Sequence, residues 1–536
     1  MNAMNQPTRR NMLRLSGALG LAACFSASVG ACAPQSSDSG DSATATGSAK
    51  KDGTIKAAIS YELGTNGYDT MTTSAALTVA VNWHTLEGLT EIDPATREVY
   101  AALASEVPKA DGTTFDVALR DGAVFHDGSK VTADDVVFSY ERVLDPKNAS
   151  LYASFIPFIK SVKKKDESTV TFTLNHAVGV LAERLAVVKI VPQAAVKKDA
   201  KAFDANPVGT GPWKMTDNGA ASKKIVFARN DDYTGTRPAK AKAMEWQVIP
   251  DAGTRTNALT SGKVQAIDSV PYLSIEQLKS KHDVESVQGF GLLFAMFNNS
   301  KGNPFADVKN RQAFLYAVDI DKVIKTALLG QAEPASCFVQ KDHPAYKEAK
   351  VVYARDTAKA KKLFAETGLK KLRLMATDHD WVAKCSPIIQ ESLKEVGVTV
   401  EFTEKQSADI YTTIDGKADA YDVVIAPGDP SVFGNDADLL LRWWYAGDLW
   451  TDSRMHWKGS ESYTSVQKLL AEALKEQDEA AATKQWQEVF DVISQNVPLY
   501  PLFHRKAPTA WDGSSLIDFA PTSLTGLTFM DVATTK

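Results

Sequence analysis

Residues 1–54 read as an address and a tether, so whatever folds into a stable body must come after them. Thr8-Arg9-Arg10-Asn11-Met12-Leu13-Arg14 sets a twin arginine before an apolar run over residues 15–29, which ends in Val29-Gly30-Ala31-Cys32. Small residues at such a junction let a peptidase fit the backbone, and a cysteine at the cut can carry lipid. With its glycines and serines the run is shorter and weaker than the roughly 20 apolar residues a spanning helix needs. The reading is therefore a signal peptide over residues 1–31, lipidated at Cys32. Leu21-Ala22-Ala23-Cys24 fits a lipid box as well. Cys32 is preferred because a polar tether, residues 32–53, begins there. Its Ser, Asp, Gly, Ala and Thr have almost nothing to bury, and about 20 such residues span roughly 25 Å. Twin-arginine and Sec export both stay open.

Removing that leader leaves 505 of 536 residues and takes away three arginines, moving the formal charge from −5 to −8. This is too much chain for one hydrophobic core, so at least two lobes are expected. The acidic balance excludes nucleic acid as a natural partner. Besides Cys24 in the leader and Cys32 at the cut, the cysteines are Cys337 and Cys385, and an oxidising exterior permits a bridge between them without requiring one.

The alternation of residues 54–60 predicts a half-buried strand. Asp111-Gly112, Asp121-Gly122 and Asp127-Gly128 punctuate two short strands over residues 113–125, as expected of turn chemistry. Thr132 followed by Asp135 predicts a capping box, with Val136, Tyr140, Val143 and Leu144 as the buried stripe of the helix behind it. Strands are expected at 169–174, 225–228, 244–249, 372–376, 399–402 and 422–425. Helices are expected at 307–329, 356–367, 382–396, 465–476 and 479–495. Strand and helix alternate in the second half, the pattern of a parallel layered lobe.

Catalytic signatures are missing: no G-x-S-x-G, no H-E-x-x-H, no Walker loop. None of the eight histidines stands three to five residues from another, so no metal site is written locally. His126 reads as a structural hydrogen bonder, and Asp134-Asp135 as helix-capping acids. No cofactor, no metal and no enzyme activity are expected. The aromatics point elsewhere. Trp443-Trp444-Tyr445 and Trp450 follow the Gly428-Asp429-Pro430-Ser431-Val432-Phe433-Gly434 loop, a composition suited to lining a cleft.

Four blocks, in order, resemble the bacterial extracellular solute-binding proteins of family 5, the oligopeptide, dipeptide and nickel receptors of ABC importers. They are residues 115–120 with Phe125-His126-Asp127-Gly128 and 131–139; Pro207-Val208-Gly209-Thr210-Gly211-Pro212-Trp213; Phe297-Asn298, Pro304-Phe305 and 308–324; and Asn496-Val497-Pro498-Leu499-Tyr500-Pro501-Leu502. The likeness covers residues 54–536. It implies an α/β, two-lobed periplasmic-binding-protein-like fold with an extra subdomain in the first lobe. Residues 54–95, 225–299 and 506–536 would form the first lobe, 96–224 the inserted subdomain, and 300–505 the second lobe.

The implied function is a lipid-anchored, extracytoplasmic receptor, acting as a monomer, that captures a peptide-like solute and passes it to a membrane permease. Tyr61 and Trp83 from the first lobe and Asp429, Phe433, Trp443 and Trp444 from the second are the expected ligand contacts. Peptide-binding members hold the α-ammonium with an aspartate where this chain has Ala426. Asp429, three residues on, could take the cation or simply form an Asx turn before Pro430. An oligosaccharide, metallophore or nickel complex is the alternative cargo, and an exported hydrolase the reading from another class.

Overall fold

Two strands are too long to belong to one lobe. Asp283–Phe297 and Leu499–Trp511 have 15 and 13 residues and pair antiparallel from Asp283↔Trp511 to Met296↔Leu499. Fifteen extended residues reach roughly 50 Å, about three times a common strand. In the computed structural model, which describes residues 48–61, 67–109 and 112–536, these two strands run through both halves of an 11-stranded sheet. The signal, Cys24, Cys32 and most of the tether lie outside the described residues. From Lys50 the chain is already held, by Lys50 N donating to Thr534 O and Thr54 N to Lys536 O.

On one side of the crossing pair lie Val423–Gly428, Lys371–Thr377 and Thr399–Lys405. These three are mutually parallel, as the strand–helix alternation predicts. On the other side lie Ala266–Ile267, Thr54–Ile59, Ala243–Val248, Lys224–Arg229 and Trp213–Asn218. The crossing point is the register break between Gln288 and Leu292. A Cβ added to Gly289 there would stand 2.3 Å from Ser523 O, so only glycine lets the C-terminal tail come so close. Residues 292–297 pair with Val423–Gly428. Trp213–Asn218 pairs antiparallel with Lys224–Arg229 at the edge of the same large sheet.

The inserted part has its own antiparallel sheet of Thr114–Ala118, Thr169–Leu174 and Ile159–Lys164. Its helix Ala133–Leu144 starts at the expected capping box: Thr132 accepts from Asp135 N, and Asp135 accepts from Thr132 N. Asp134 is left exposed to pair with Lys164. His126 is structural: its Nε2 lies 3.0 Å from Gly211 O and its Nδ1 accepts from Gly209 N. Gly209 and Gly211 pack on the end of helix Ala76–Thr85, where a Cβ would meet Thr85 O at 1.9 Å and His84 O at 2.5 Å.

One expectation is corrected and one open question is answered. The single helix over 307–329 is two, Val308–Ala317 and Ile320–Ala327, because Asp319 caps the second by accepting from Lys322 N. Cys337 and Cys385 are free, buried thiols, pushed up to about 11 and about 12 by burial.

Candidate functional site

The lobes meet along a seam beside the crossing strands, at the carboxyl ends of the parallel strands where open α/β sheets place ligands. Arg505 sits on Leu499–Trp511 at the point of crossing, buried. Its Nη2 donates to Tyr61 Oη at 3.1 Å, just beyond strand Thr54–Ile59. Its guanidinium stands 4.9 Å over the Trp381 ring. Trp381 opens helix Asp380–Glu395, and its neighbour His379 faces Tyr61 with ring centroids 6.0 Å apart. Tyr272, from the short turn Tyr272–Ser274, completes this end. Burial raises the Tyr272 phenol, while Arg505 pulls it back. Burial also pushes His379 down to about 4, so that imidazole is neutral at pH 7.

Asp429 lies farther along, on the loop after Val423–Gly428. One oxygen accepts from Thr525 N at 2.9 Å, across the seam, and the other accepts from the Ser431 hydroxyl. Arg97 reaches over to donate to Ser431 O at 2.6 Å. Burial lowers the Arg97 guanidinium to about 10 against the field of Asp429, which also acts on Arg505. Asp429 therefore lies in the field of two cations, the half-buried Arg97 and the buried Arg505. Beyond it a cavity of about 30 Å³, room for about one water, is lined by Trp83, Glu91, Arg97, Lys189, Phe433 and Leu524.

The aromatic cluster divides. Phe433 packs on Tyr152, Phe155 and Trp443, with centroids at 5.2, 5.7 and 5.1 Å, where the inserted part meets the second lobe. Trp444 is instead fully buried within the second lobe, against Phe290, Phe294, Phe338 and Trp450. Consecutive residues of helix Ala437–Tyr445 point about 100° apart, so the two indoles diverge, Trp443 toward Phe155 and Trp444 toward Phe290, although both touch Trp450. Gly428 makes room for Trp444, whose Cζ2 would lie 2.4 Å from a Cβ there.

Tyr61, Trp83, Asp429 and Phe433 thus share the seam, Trp443 borders it, and Trp444 stands behind it. Sequence reasoning missed Arg505, Trp381, His379, Tyr272 and Arg97. One signal was present: His504-Arg505 interrupts the apolar run 499–503, and a charge inside a buried strand needs a partner. Among the described residues, no group of three or more His, Cys, Asp or Glu is arranged to hold a metal. The seam offers donors, acceptors and rings for binding.

Residues 98–465 match the profile of "Bacterial extracellular solute-binding proteins, family 5 Middle". The chain belongs to this family. As a family 5 solute-binding protein it is similar to the glutathione-binding protein GsiB of Escherichia coli K12, 26% identical over 429 residues, 78% of this chain and 83% of GsiB. The fold is also that of the periplasmic binding protein AgaA from A. tumefaciens R10, solved with agropinic acid. There the TM-score is 0.80 and the identity 27%, over 90% of this chain and 99% of AgaA. Helicobacter pylori DppA, solved with the peptide STSA, gives a TM-score of 0.79 at 22% identity over 90% and 98% of the two chains. No helix among the described residues is long and apolar enough to cross a membrane.

Proposed function

We propose that this family 5 protein is the substrate-capturing receptor of an ABC importer, taking a peptide-like solute between its lobes and delivering it to a membrane permease. The observation that carries the reading is the seam itself. Both lobes supply polar and aromatic groups to it, and the half-buried Arg97 and buried Arg505 both act on the carboxylate of Asp429. Glutathione and the STSA peptide, named with GsiB and DppA, are built from amino acids. In this reading Tyr61, Trp83, Asp429, Phe433 and Trp443 contact the solute, and Trp444 props the wall behind them. Lipid on Cys32, or on Cys24, holds the receptor at the membrane as a monomer, where tethering raises its effective concentration at the permease.

Solute drives closure only through its preference for the closed form. Turning 1:99 into 99:1 takes roughly 5.5 kcal/mol of differential affinity. Calorimetry with short peptides, glutathione, oligosaccharides and Ni²⁺, paired with small-angle scattering, tests the proposal. A peptide-like solute should bind and compact the protein. Binding confined to a sugar or to Ni²⁺ would replace the cargo, and turnover of any of these would replace the receptor role.

A further inference from the structure

Buried arginines in this protein have visible partners, and Arg505 is the exception that matters. Arg120, Arg142, Arg184 and Arg442 pair with Glu87, Asp69, Asp436 and Asp438. Arg311 spends its donors on the carbonyls of Asn496, Phe305 and Ala306. Arg505 is buried with hydrogen bonds to the Tyr61 hydroxyl and the Tyr272 phenol, and among the described residues no carboxylate lies within ion-pair distance of it. Asp429 acts on Arg505 only through its field, which Arg97 shares, and its oxygens accept from Thr525 N and the Ser431 hydroxyl without an ion pair to Arg505. Arg505 is therefore held by two phenols and by the more distant fields of Asp429 and Asp268, with no carboxylate in direct contact. Burying such a charge is costly without an ion pair or full hydrogen bonding.

The same cluster contains a second deficit. Trp381 Nε1 and His379 Nδ1 are buried without a hydrogen-bond partner, and Tyr272 Oη has only Arg505; such groups in a native site call for an explanation. A guanidinium fork, an indole N–H and a phenol O–H are donors in search of an acceptor. A carboxylate offers about four lone-pair sites in one plane and suits the guanidinium bidentately.

Resting on the receptor reading above, we propose that the cluster of Tyr61, Tyr272, Trp381 and Arg505 receives a carboxylate of the transported solute. The cargo class is then narrowed to carboxylate-bearing amino-acid derivatives, and neutral glycans are disfavoured. Arg505 acts as the specificity determinant for the acid.

The test uses the full chain in detergent micelles, with trialanine, glutathione and the same two compounds amidated at every carboxyl. Amidation leaves the ammonium in place, so any contact with Asp429 is unaffected. Calorimetry on the unaltered protein should show at least one acid bound about 30-fold or more tightly than its amide, a comparison that needs no variant. Arg505→Gln should bind acid and amide alike, and Arg505→Lys should recover part of the preference. Circular dichroism confirms that both variants are folded. Equal affinity for acid and amide in the unaltered protein, with Arg505→Gln unchanged, overturns the assignment while the receptor reading stands. No heat from any probe, together with no carboxylate-bearing solute released on denaturing the purified protein, overturns both.

Discussion

Arg184 and Asp436 form a bidentate ion pair between the inserted part and the second lobe, with Arg184 Nε donating to Asp436 Oδ2 at 2.9 Å. Arg184 lies on helix Leu181–Leu185 and its side chain is fully buried. It also reaches Asp438 at 2.8 Å and Phe155 O at 2.6 Å, and Asp438 is shared with Arg442. Burial opposes the charge on Arg184, but Asp436 and Asp438 outweigh it and hold the guanidinium ionised. Asp436 has a second task, capping helix Ala437–Tyr445 by accepting from Leu439 N at 2.9 Å. One carboxylate thus starts the helix that presents Trp443 and locks that helix to the opposite body.

Asp436→Asn separates those tasks, since asparagine caps as well as aspartate but cannot neutralise a buried arginine. Contact between the bodies should weaken by about 2–3 kcal/mol. Scattering should show a larger radius of gyration with solute present, and apparent affinity should fall about 30- to 100-fold. An unchanged radius and affinity would deny the pair any part in closure.

Glu183 sits beside this pair with Oε2 buried and lacking a hydrogen-bond partner. Burial, then Asp436, push its carboxyl up to about 7, while Arg184 and Arg97 oppose them. The folded protein therefore holds a proton that the unfolded chain releases at about pH 4.5. The strain of ionising Glu183 is absent below that pH and fully present above about pH 7. Glu183→Gln should raise stability at pH 8, by on the order of 1–3 kcal/mol, and leave it unchanged at pH 4.5. Urea titrations at the two values check this. Asp436→Asn should lower the Glu183 midpoint, readable by carboxyl NMR.

His84 gives the opposite sign. Its Nδ1 lies 2.8 Å from Ala80 O and its Nε2 accepts from Phe529 N at 2.9 Å, so the imidazole is held neutral and anchors the C-terminal tail. Burial depresses it to about 4. Below its ordinary value near 6.5 the unfolded chain gains a proton that the folded one refuses, and stability is lost as pH falls from about 6.5 through 4. His84→Gln should flatten that limb of the urea–pH profile by about 2–3 kcal/mol. A profile that keeps its full slope would assign the loss to other groups.

Trp444 and Trp83 should separate stability from binding. Trp444→Ala empties a fully buried site and should cost about 3–5 kcal/mol of unfolding free energy. Trp83, half-buried beside the small cavity, should behave differently. Trp83→Ala should reduce solute affinity about tenfold, the scale of one lost aromatic contact, with little change in melting temperature. Similar melting losses in both variants would place Trp83 in the core instead.

Local signals carried far in this chain. The capping box at Thr132–Asp135, the parallel strands Lys371–Thr377, Thr399–Lys405 and Val423–Gly428, and the structural role of His126 all follow from interactions within a few residues or from periodicity. The break at Asp319 was missed because residues 308–324 keep an apolar stripe on both sides of it. Asp429 shows the limit more sharply. Its loop chemistry allowed either a cation partner or a local turn, and the structure finds it bound to the neighbouring Ser431 and to Thr525, 96 residues away.

By itself the sequence determined the α/β alternation, the family blocks and the presence of an aromatic-rich loop beside Asp429, because propensity, capping and turn chemistry act over short spans. Only the tertiary structure decided that Trp443 faces the inserted part while Trp444 enters the core, and that Tyr61, Tyr272, Trp381 and Arg505 converge. Those four come from segments up to 444 residues apart. Their meeting is fixed by how two crossing strands bring separate lobes together, and no local pattern in the chain encodes that distance.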